Sequence, residues 1–331
     1  DTKHPIIWIA TQRDGLNAYN YNEQTFTAYQ HNPENPHSLI TNDVTDIAPS
    51  TQHDDGLWIS TYYRGIEYLD ITSGQFTHYN KSTVPSLPCD QTWTVLDGGD
   101  GNLYIGHVGS GFSIFSPKDK SVKNFRNEAG NPMSLPGNDV FCIIKDANGN
   151  IWLGTNNGLA LYDAANENFI TFKNNKNDKY ATLCSRILSI RQLKDNRLWI
   201  ASELNGIAIL NLKQSMFLSP EEISLEYIQE GADNRSLSNA SARCIFQDSF
   251  DNIWIGTWGG GINFISSKPP LFTTLSYSPI PNNENSLNNK VVSSLCMDRQ
   301  GRVWIGTDGG GINVFEGEKR IAIYKKENGD I

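Results

Sequence analysis

A glycine-rich stretch near the end of the chain occurs twice, as residues 252–265 and again as residues 302–315. Both copies read Trp-Ile-Gly-Thr and, after one variable residue, Gly-Gly-Gly-Ile-Asn. Aligning the chain on the aromatic residue of this motif gives seven occurrences spaced about 46 to 55 residues apart, at Trp8, Trp58, Tyr104, Trp152, Trp199, Trp254 and Trp304. A period of this length predicts an array of one structural unit.

Each unit contains short runs of alternating apolar and polar residues. In the fourth unit these runs are 140–144, the segment around Trp152, 158–162 and 169–172, and the first two are joined by the polar turn 146–150. Alternation with a period of two, bounded by Gly, Asn and Asp, is typical of β-strands joined by hairpins. Four antiparallel strands in fewer than about 50 residues are typical of one blade of a β-propeller.

The sequence therefore predicts an all-β fold, a single seven-bladed β-propeller with four antiparallel strands per blade. We expect the repeated Trp to pack between blades, with Tyr104 replacing it where the hydroxyl finds a partner. The predicted blades cover approximately residues 1–31, 39–80, 87–126, 135–173, 183–228, 237–278 and 287–326.

The first unit departs from this pattern, because the chain opens on Ile6–Ile9, which already corresponds to a second strand. The first blade is expected to lack its inner strand, and residues 325–331 do not have the pattern that would supply it. We interpret the chain as a piece of a longer protein. An inner strand formed by residues 1–5 or 325–331 would contradict this interpretation.

Composition limits the classes of function. The formal net charge is −9, so no basic surface is expected to bind nucleic acid. No apolar run reaches about 18 residues, so a membrane could be reached only through segments outside this sequence. The five cysteines fall at strand positions, Cys142 and Cys244 in equivalent registers, and are expected to be small packing residues without a disulfide.

The motif Asp-x-x-Gly-x-Ile-Trp-Ile-Gly-Thr-x-Gly-Gly-Gly-Ile-Asn, preceded by Ser-Leu, resembles the two-component-regulator propeller repeat. The resemblance extends over essentially the full chain, and is strongest in the sixth and seventh units. It implies the periplasmic sensor region of a hybrid two-component system from Bacteroidetes. Such a sensor typically has two propellers, a β-sandwich, one membrane crossing and intracellular kinase modules. The run at 269–281 resembles the end of the first of the two rings and favours the N-terminal propeller.

The same resemblance implies a function. The sensor would detect an oligosaccharide released from a glycan and would control the genes that degrade that glycan. Its partners would be the oligosaccharide, the second propeller and the β-sandwich of the same chain, and a second copy in a dimer. No cofactor and no metal are expected, since the six histidines lack ligand spacing.

Candidate ligand contacts are residues that interrupt the repeat in the loops between second and third strands. Aromatic faces stack on sugar rings, while Arg, Asn and carboxylates pair with hydroxyls. The predicted ligand-binding residues are Tyr62, Tyr63, Arg64, His107, Asn156, Glu203, Trp258 and Asp308. These residues are equally compatible with ordinary variable loops or with contacts to a neighbouring propeller.

Two other functions remain open. A propeller glycosidase or lyase needs paired catalytic groups, and the carboxylates on these loops, Asp14, Glu203 and Asp308, would be spread around the ring. We therefore expect no catalytic residue in this chain. Alternatively, the propeller is a scaffold that docks a sister domain, with the ligand bound elsewhere in the sensor.

Overall fold

A computed structural model of the chain describes residues 4–53, 55–172, 181–212, 225–231, 236–268, 275–279, 283–326 and 329. Within these ranges the chain forms 26 β-strands in seven antiparallel sheets and contains no α-helix. None of the described residues belongs to a helix able to cross a membrane. The chain divides into two compact units, Asp1–Ser267 and Lys268–Ile331.

The first three sheets are meanders in which each strand pairs with the next along the chain. The first sheet has three strands, β1 (Ile6–Ala10), β2 (Leu16–Asn20) and β3 (Thr25–Tyr29). The second has β4 (Val44–Pro49), β5 (Gly56–Thr61), β6 (Gly65–Asp70) and β7 (Gln75–Tyr79). The third has β8 (Thr92–Asp97), β9 (Leu103–His107), β10 (Phe112–Phe115) and β11 (Val122–Phe125).

The next three sheets complete the first unit. The fourth has β12 (Val140–Lys145), β13 (Ile151–Thr155), β14 (Gly158–Asp163) and β15 (Asn168–Thr171). The fifth has β16 (Ile187–Gln192), β17 (Arg197–Ser202), β18 (Ile207–Asn211) and β19 (Leu225–Ile228). The sixth has three described strands, β20 (Ala242–Gln247), β21 (Ile253–Thr257) and β22 (Ile262–Ile265).

The second unit contains the seventh sheet, formed by β23 (Val292–Met297), β24 (Val303–Thr307), β25 (Gly311–Glu316) and β26 (Lys319–Tyr324). The prediction of seven antiparallel sheets, the first with three strands, is confirmed. The blade predicted at 237–278 was expected to have a fourth strand, and residues 269–274 of that blade lie outside the described residues.

The apolar cores of the first unit lie between neighbouring sheets. Trp152 is fully buried and packs against Ile187 and Leu198 of the fifth sheet. Trp58 packs against Val95 and Ile105 of the third sheet in the same way. A sheet covered by its neighbours on both faces buries consecutive residues, as β13 does along its whole length. The repeated Trp is therefore a residue of the core between sheets.

The third and the sixth units differ from this packing of a buried Trp. Tyr104 replaces the Trp in the third sheet, and its hydroxyl donates a hydrogen bond to Asp100 Oδ2 at 3.2 Å. Trp254 is 40% exposed and contacts Phe264 of its own sheet.

All five cysteines are free, but Cys244 and Cys296 are exposed, so the expectation that they are packing residues was wrong for these two.

The turn before the second strand explains the Asp and Trp of the motif. In the fourth sheet Asp146 Oδ1 accepts hydrogen bonds from the backbone N–H groups of Asn148 and Asn150, both at 2.9 Å. The indole Nε1 of Trp152 donates to the other carboxylate oxygen, also at 2.9 Å. The same bond joins Trp254 to Asp248 and Trp304 to Asp298. The carboxylate thus holds both the turn and the Trp side chain, which in the fourth sheet is the one that the fifth sheet packs on.

Candidate functional site

The loops between the second and third strands are held by one repeated hydrogen bond. The hydroxyl at the end of the second strand donates to the carbonyl oxygen of the glycine that begins the third strand. This bond is 2.8 Å from Thr61 to Gly65 and 2.9 Å from Thr257 to Gly261. The residues between the two ends can vary, because this hydrogen bond does not involve their side chains.

A β-bulge near the start of each inner strand brings a second set of side chains to the same end of the sheets. The pairing register shifts across Thr45, Trp93, Phe141, Leu188 and Arg243 in the second to sixth sheets. A bulge leaves one residue out of the ladder and redirects its side chain. Since the first strand begins where the second ends, the bulged residues lie beside the variable loops.

Aromatic side chains from the second, third and fourth sheets form a continuous row at this end. The rings of Tyr63 and Tyr62 have centroids 4.0 Å apart, and Tyr62 meets Trp93 edge to face at 5.9 Å. Trp93 in turn meets Phe141 at 5.7 Å. Tyr63 is 53% exposed, so the row is open to a ligand at its outer end. The hydrogen bond between the two tyrosines raises the pKa of Tyr63.

Charged side chains continue the row across the fifth and sixth sheets. The guanidinium of Arg186 lies over the Phe141 ring at 4.6 Å, and its Nη1 is 3.1 Å from Oε2 of Glu203. Arg243 Nη2 is 3.8 Å from Oε1 of the same Glu203. The Arg243 guanidinium also lies 4.3 Å from the centroid of the Trp258 ring, which is 67% exposed. Each arginine is thus stacked on an aromatic face while it shares one carboxylate.

We refer to this continuous row as the arc. Its members all belong to the unit Asp1–Ser267 and are Tyr63, Tyr62, Trp93, Phe141, Arg186, Glu203, Arg243 and Trp258. Rings that stack on sugar faces and N–H groups that donate to hydroxyls are the features of a carbohydrate site. The arc contains one carboxylate, Glu203, whereas glycoside hydrolysis generally requires two acidic side chains.

The structure places four of the predicted residues, Tyr62, Tyr63, Glu203 and Trp258, in the arc. Arg64 is exposed on the same loop as the tyrosines. The remaining two exposed candidates, Asn156 and Asp308, are not among the members of the arc as defined above.

Asn156 accepts a hydrogen bond from the backbone N–H of Asp139 at 3.2 Å, and so supports its own loop. Asp308 belongs to the second unit, and its backbone N–H donates to Val291 O at 3.0 Å.

The prediction that His107 contacts a ligand is wrong, because the structure buries this side chain completely. It ends β9 at the position that Thr61 takes in the second sheet, and its Nε2 is 2.8 Å from Ser113 Oγ. The other ring nitrogen is 3.5 Å from Cys89 Sγ. Burial lowers the pKa of His107 to about 4, so the ring is neutral at pH 7. It belongs to the sheet interior and is not accessible to a ligand.

Sequence reasoning missed four members of the arc, Trp93, Phe141, Arg186 and Arg243. Three of these lie on inner strands, which the alternation assigned to the core. A signal was present, because the equivalent strand position holds an aromatic or charged residue only in the third, fourth and sixth units. In the second, fifth and seventh units it holds Thr45, Leu188 and Ser293. Only the bulge shows that this position faces the loops.

Across the described part of the chain, no group of three or more His, Cys, Asp or Glu side chains could hold a metal ion. The charged groups of the arc are the ion pair of Arg186 with Glu203 and the neighbouring Arg243. Together with the aromatic rings, these groups suit a polar organic ligand.

Comparison with known proteins agrees with this architecture. The family model of the two component regulator propeller matches residues 134–157, 236–259 and 286–309. The chain carries two-component regulator propeller repeats. The three matched repeats are those in which Asp146, Asp248 and Asp298 accept the hydrogen bond of the following Trp. The matched consensus therefore coincides with the units that keep the Asp–Trp bond.

Solved structures extend the comparison to the whole chain. The extracellular domain of a putative hybrid two component system from B. thetaiotaomicron is 62% identical over 98% of this chain and 40% of that chain, with a TM-score of 0.74. A second such domain from the same organism is 20% identical over 97% of this chain and 39% of that chain, with a TM-score of 0.59, and shows the shared fold.

A curated relative, histidine kinase P4 of Formosa agariphila, is 30% identical over 92 residues, which are 27% of this chain and 7% of the kinase. The chain thus spans less than half of each of these relatives. It is related to the extracellular sensor domains of two-component systems.

Proposed function

We propose that this chain is a ligand-sensing propeller of a hybrid two-component system and that it binds a glycan-derived oligosaccharide at the arc. The arc itself carries the proposal, because it joins aromatic rings, guanidinium groups and a carboxylate from five sheets into one row. Tyr63, Arg186 and Trp258 of this row are exposed, and its other members are half-buried. A row of this length can contact several sugar rings at once. The relationship to extracellular sensor domains supports a signalling function and favours an extracellular or periplasmic location.

In the complete protein, ligand binding would be passed to an intracellular kinase that controls genes for breakdown of the same glycan. The chain would be one propeller, the N-terminal one, beside a second propeller and a β-sandwich in a dimeric sensor. These assignments rest on the relatives, of which this chain covers 40% or less. The fragment itself would bind and would not catalyse.

The proposal predicts that Trp93→Ala weakens oligosaccharide binding by roughly 30-fold, since a central aromatic contact is removed from the row. Isothermal titration calorimetry of the 331-residue chain against a panel of neutral and acidic oligosaccharides measures the effect. Tyr21→Ala is the matched control, because Tyr21 is an aromatic residue that is 52% exposed and lies outside the arc.

Two results would count against this function. The first is that no oligosaccharide in the panel binds the chain. The second is binding that Trp93→Ala leaves unchanged, which would move the ligand away from the arc. Release of reducing sugar by the wild-type chain would favour the glycosidase alternative.

A further inference from the structure

Three charged side chains meet at one end of the arc. Arg186 and Arg243 lie on either side of Glu203, at 3.1 Å and 3.8 Å from its two carboxylate oxygens. Two guanidinium groups and one carboxylate leave a local excess of positive charge, although the chain as a whole has a formal net charge of −9. A cationic locus on an acidic protein attracts an anionic group of a ligand.

The two arginines keep hydrogen-bond donors that Glu203 does not use. Each guanidinium is stacked on a ring, at 4.6 Å over Phe141 and 4.3 Å over Trp258. Stacking covers the face of the guanidinium and leaves its in-plane N–H groups available to acceptors. Nε of Arg243 is buried and has no hydrogen-bond partner among the described residues. The two arginine side chains are otherwise partly exposed, so an anion would be bound by their terminal N–H groups and not by this buried nitrogen.

The opposite end of the arc is aromatic. It is formed by the rings of Tyr63 and Tyr62, with centroids 4.0 Å apart, and by Trp93, 5.9 Å from Tyr62. The charged members of the arc all lie at the other end, and are Arg186, Glu203 and Arg243. The arc therefore has an aromatic end suited to a neutral sugar ring and a cationic end suited to an acidic one.

We propose, on the basis of the function proposed above, that the oligosaccharide bound by the arc is anionic. Its acidic group, a uronic acid carboxylate or a sulfate ester, is bound by Arg186 and Arg243. Glu203 positions the two guanidinium groups, and the neighbouring sugar ring stacks on Trp93 and Tyr62. Carboxylate and sulfate oxygens match the fork of N–H donors that a guanidinium presents.

The experiment compares ligands that differ in charge and share a skeleton. Tetragalacturonic acid is titrated into the 331-residue chain by calorimetry beside its fully methyl-esterified form. A sulfated galactose tetrasaccharide and its unsulfated parent form the second pair. We expect the acidic member of at least one pair to bind about tenfold more tightly or better, with the difference shrinking as salt is added. The pair that shows the difference identifies the acidic group.

Substitution of the arginines tests the location. Arg186→Gln and Arg243→Gln each remove a charge and keep a polar side chain. Each is expected to weaken binding of the acidic sugar by about tenfold and to leave the neutral partner almost unchanged. Arg299→Gln, on an exposed hairpin turn of the second unit, is the control and is expected to have no effect. Circular dichroism confirms that each variant is folded.

The outcomes separate this inference from the function on which it rests. Equal binding of the acidic and neutral members, still abolished by Trp93→Ala, would overturn the anionic ligand and keep the oligosaccharide site. A preference for acidic sugars that both arginine variants retain would overturn the assignment to Arg186 and Arg243. Failure of every sugar to bind would overturn both proposals.

Discussion

At the scale of single residues, the repeat shows which side chains are structural and which are not. A hydroxyl or an Asp that recurs at one position forms the same hydrogen bond in each sheet, as Thr61, Thr155 and Thr257 do with the glycine that follows. The hydrogen bond from the Trp254 indole lowers the pKa of Asp248, and the equivalent bond lowers that of Asp298. The candidates for ligand binding are therefore exposed residues that differ from the consensus of the repeat.

His107 departs from the consensus but is buried, which predicts a pH dependence of stability. The pKa of His107 is lowered to about 4 in the folded chain, whereas an unfolded histidine titrates near 6.5. Between these values the unfolded chain binds the extra proton, so stability falls as the pH falls from about 6.5 to about 4. We expect a contribution of about 3 kcal/mol over this window.

Replacement of His107 by the consensus threonine tests this prediction. His107→Thr should reduce the loss of stability at low pH, measured by urea denaturation at a series of pH values. His37→Thr, at an exposed histidine, should keep the wild-type profile. Equal acid sensitivity of wild type and His107→Thr would show that the ring is protonated in the folded chain.

At the scale of elements, the site depends on two backbone features, the bulge in the inner strand and the glycine with positive φ that begins the third strand. The bulge redirects Trp93, Phe141 and Arg243, while the glycine at the start of the third strand allows the loop to pass beside the outer strand. At Gly65, with φ of +86°, a Cβ would lie 2.3 Å from the carbonyl oxygen of Tyr79. Such contacts exclude any side chain without movement of the backbone.

Gly65→Ala is accordingly expected to lower the free energy of unfolding by about 3 kcal/mol, the sum of a left-handed conformation and a clash with backbone. It should also weaken oligosaccharide binding, since the loop carrying Tyr62 and Tyr63 must shift. Gly149→Ala is the control: φ is +88°, but the nearest atom to its Cβ is Lys145 Cε at 4.0 Å. That variant should cost only about 1 kcal/mol. Equal losses in the two variants would mean that the contact with Tyr79 is relieved easily.

At the scale of the whole molecule, stability comes from the cores between neighbouring sheets and not from the arc. Each core in the first unit takes residues from two successive sheets, so that no sheet buries its apolar faces alone. The ion pairs of the arc are partly exposed and contribute little to the free energy of folding. Binding and stability are therefore expected to respond to different substitutions.

Trp152→Ala tests this separation. Trp152 is fully buried between the fourth and fifth sheets, and its truncation is expected to cost about 3–5 kcal/mol. Hydrogen exchange should show lost protection in both sheets, because they share the cavity. Trp258→Ala removes an exposed ring of the arc and should change stability by less than about 1 kcal/mol. Lost protection confined to the fourth sheet would contradict the shared core.

The sequence alone determined the architecture, because the period of the Trp motif and the alternation of short strands are local properties repeated along the chain. It also placed Tyr62, Tyr63, Glu203 and Trp258 on loops that follow second strands, as the structure does. Only the tertiary structure decided that His107 is buried and that Trp93, Phe141, Arg186 and Arg243 complete the arc. The physical reason is that a bulge and the approach of neighbouring sheets determine where a strand residue faces, and neither follows from the alternation of a single strand.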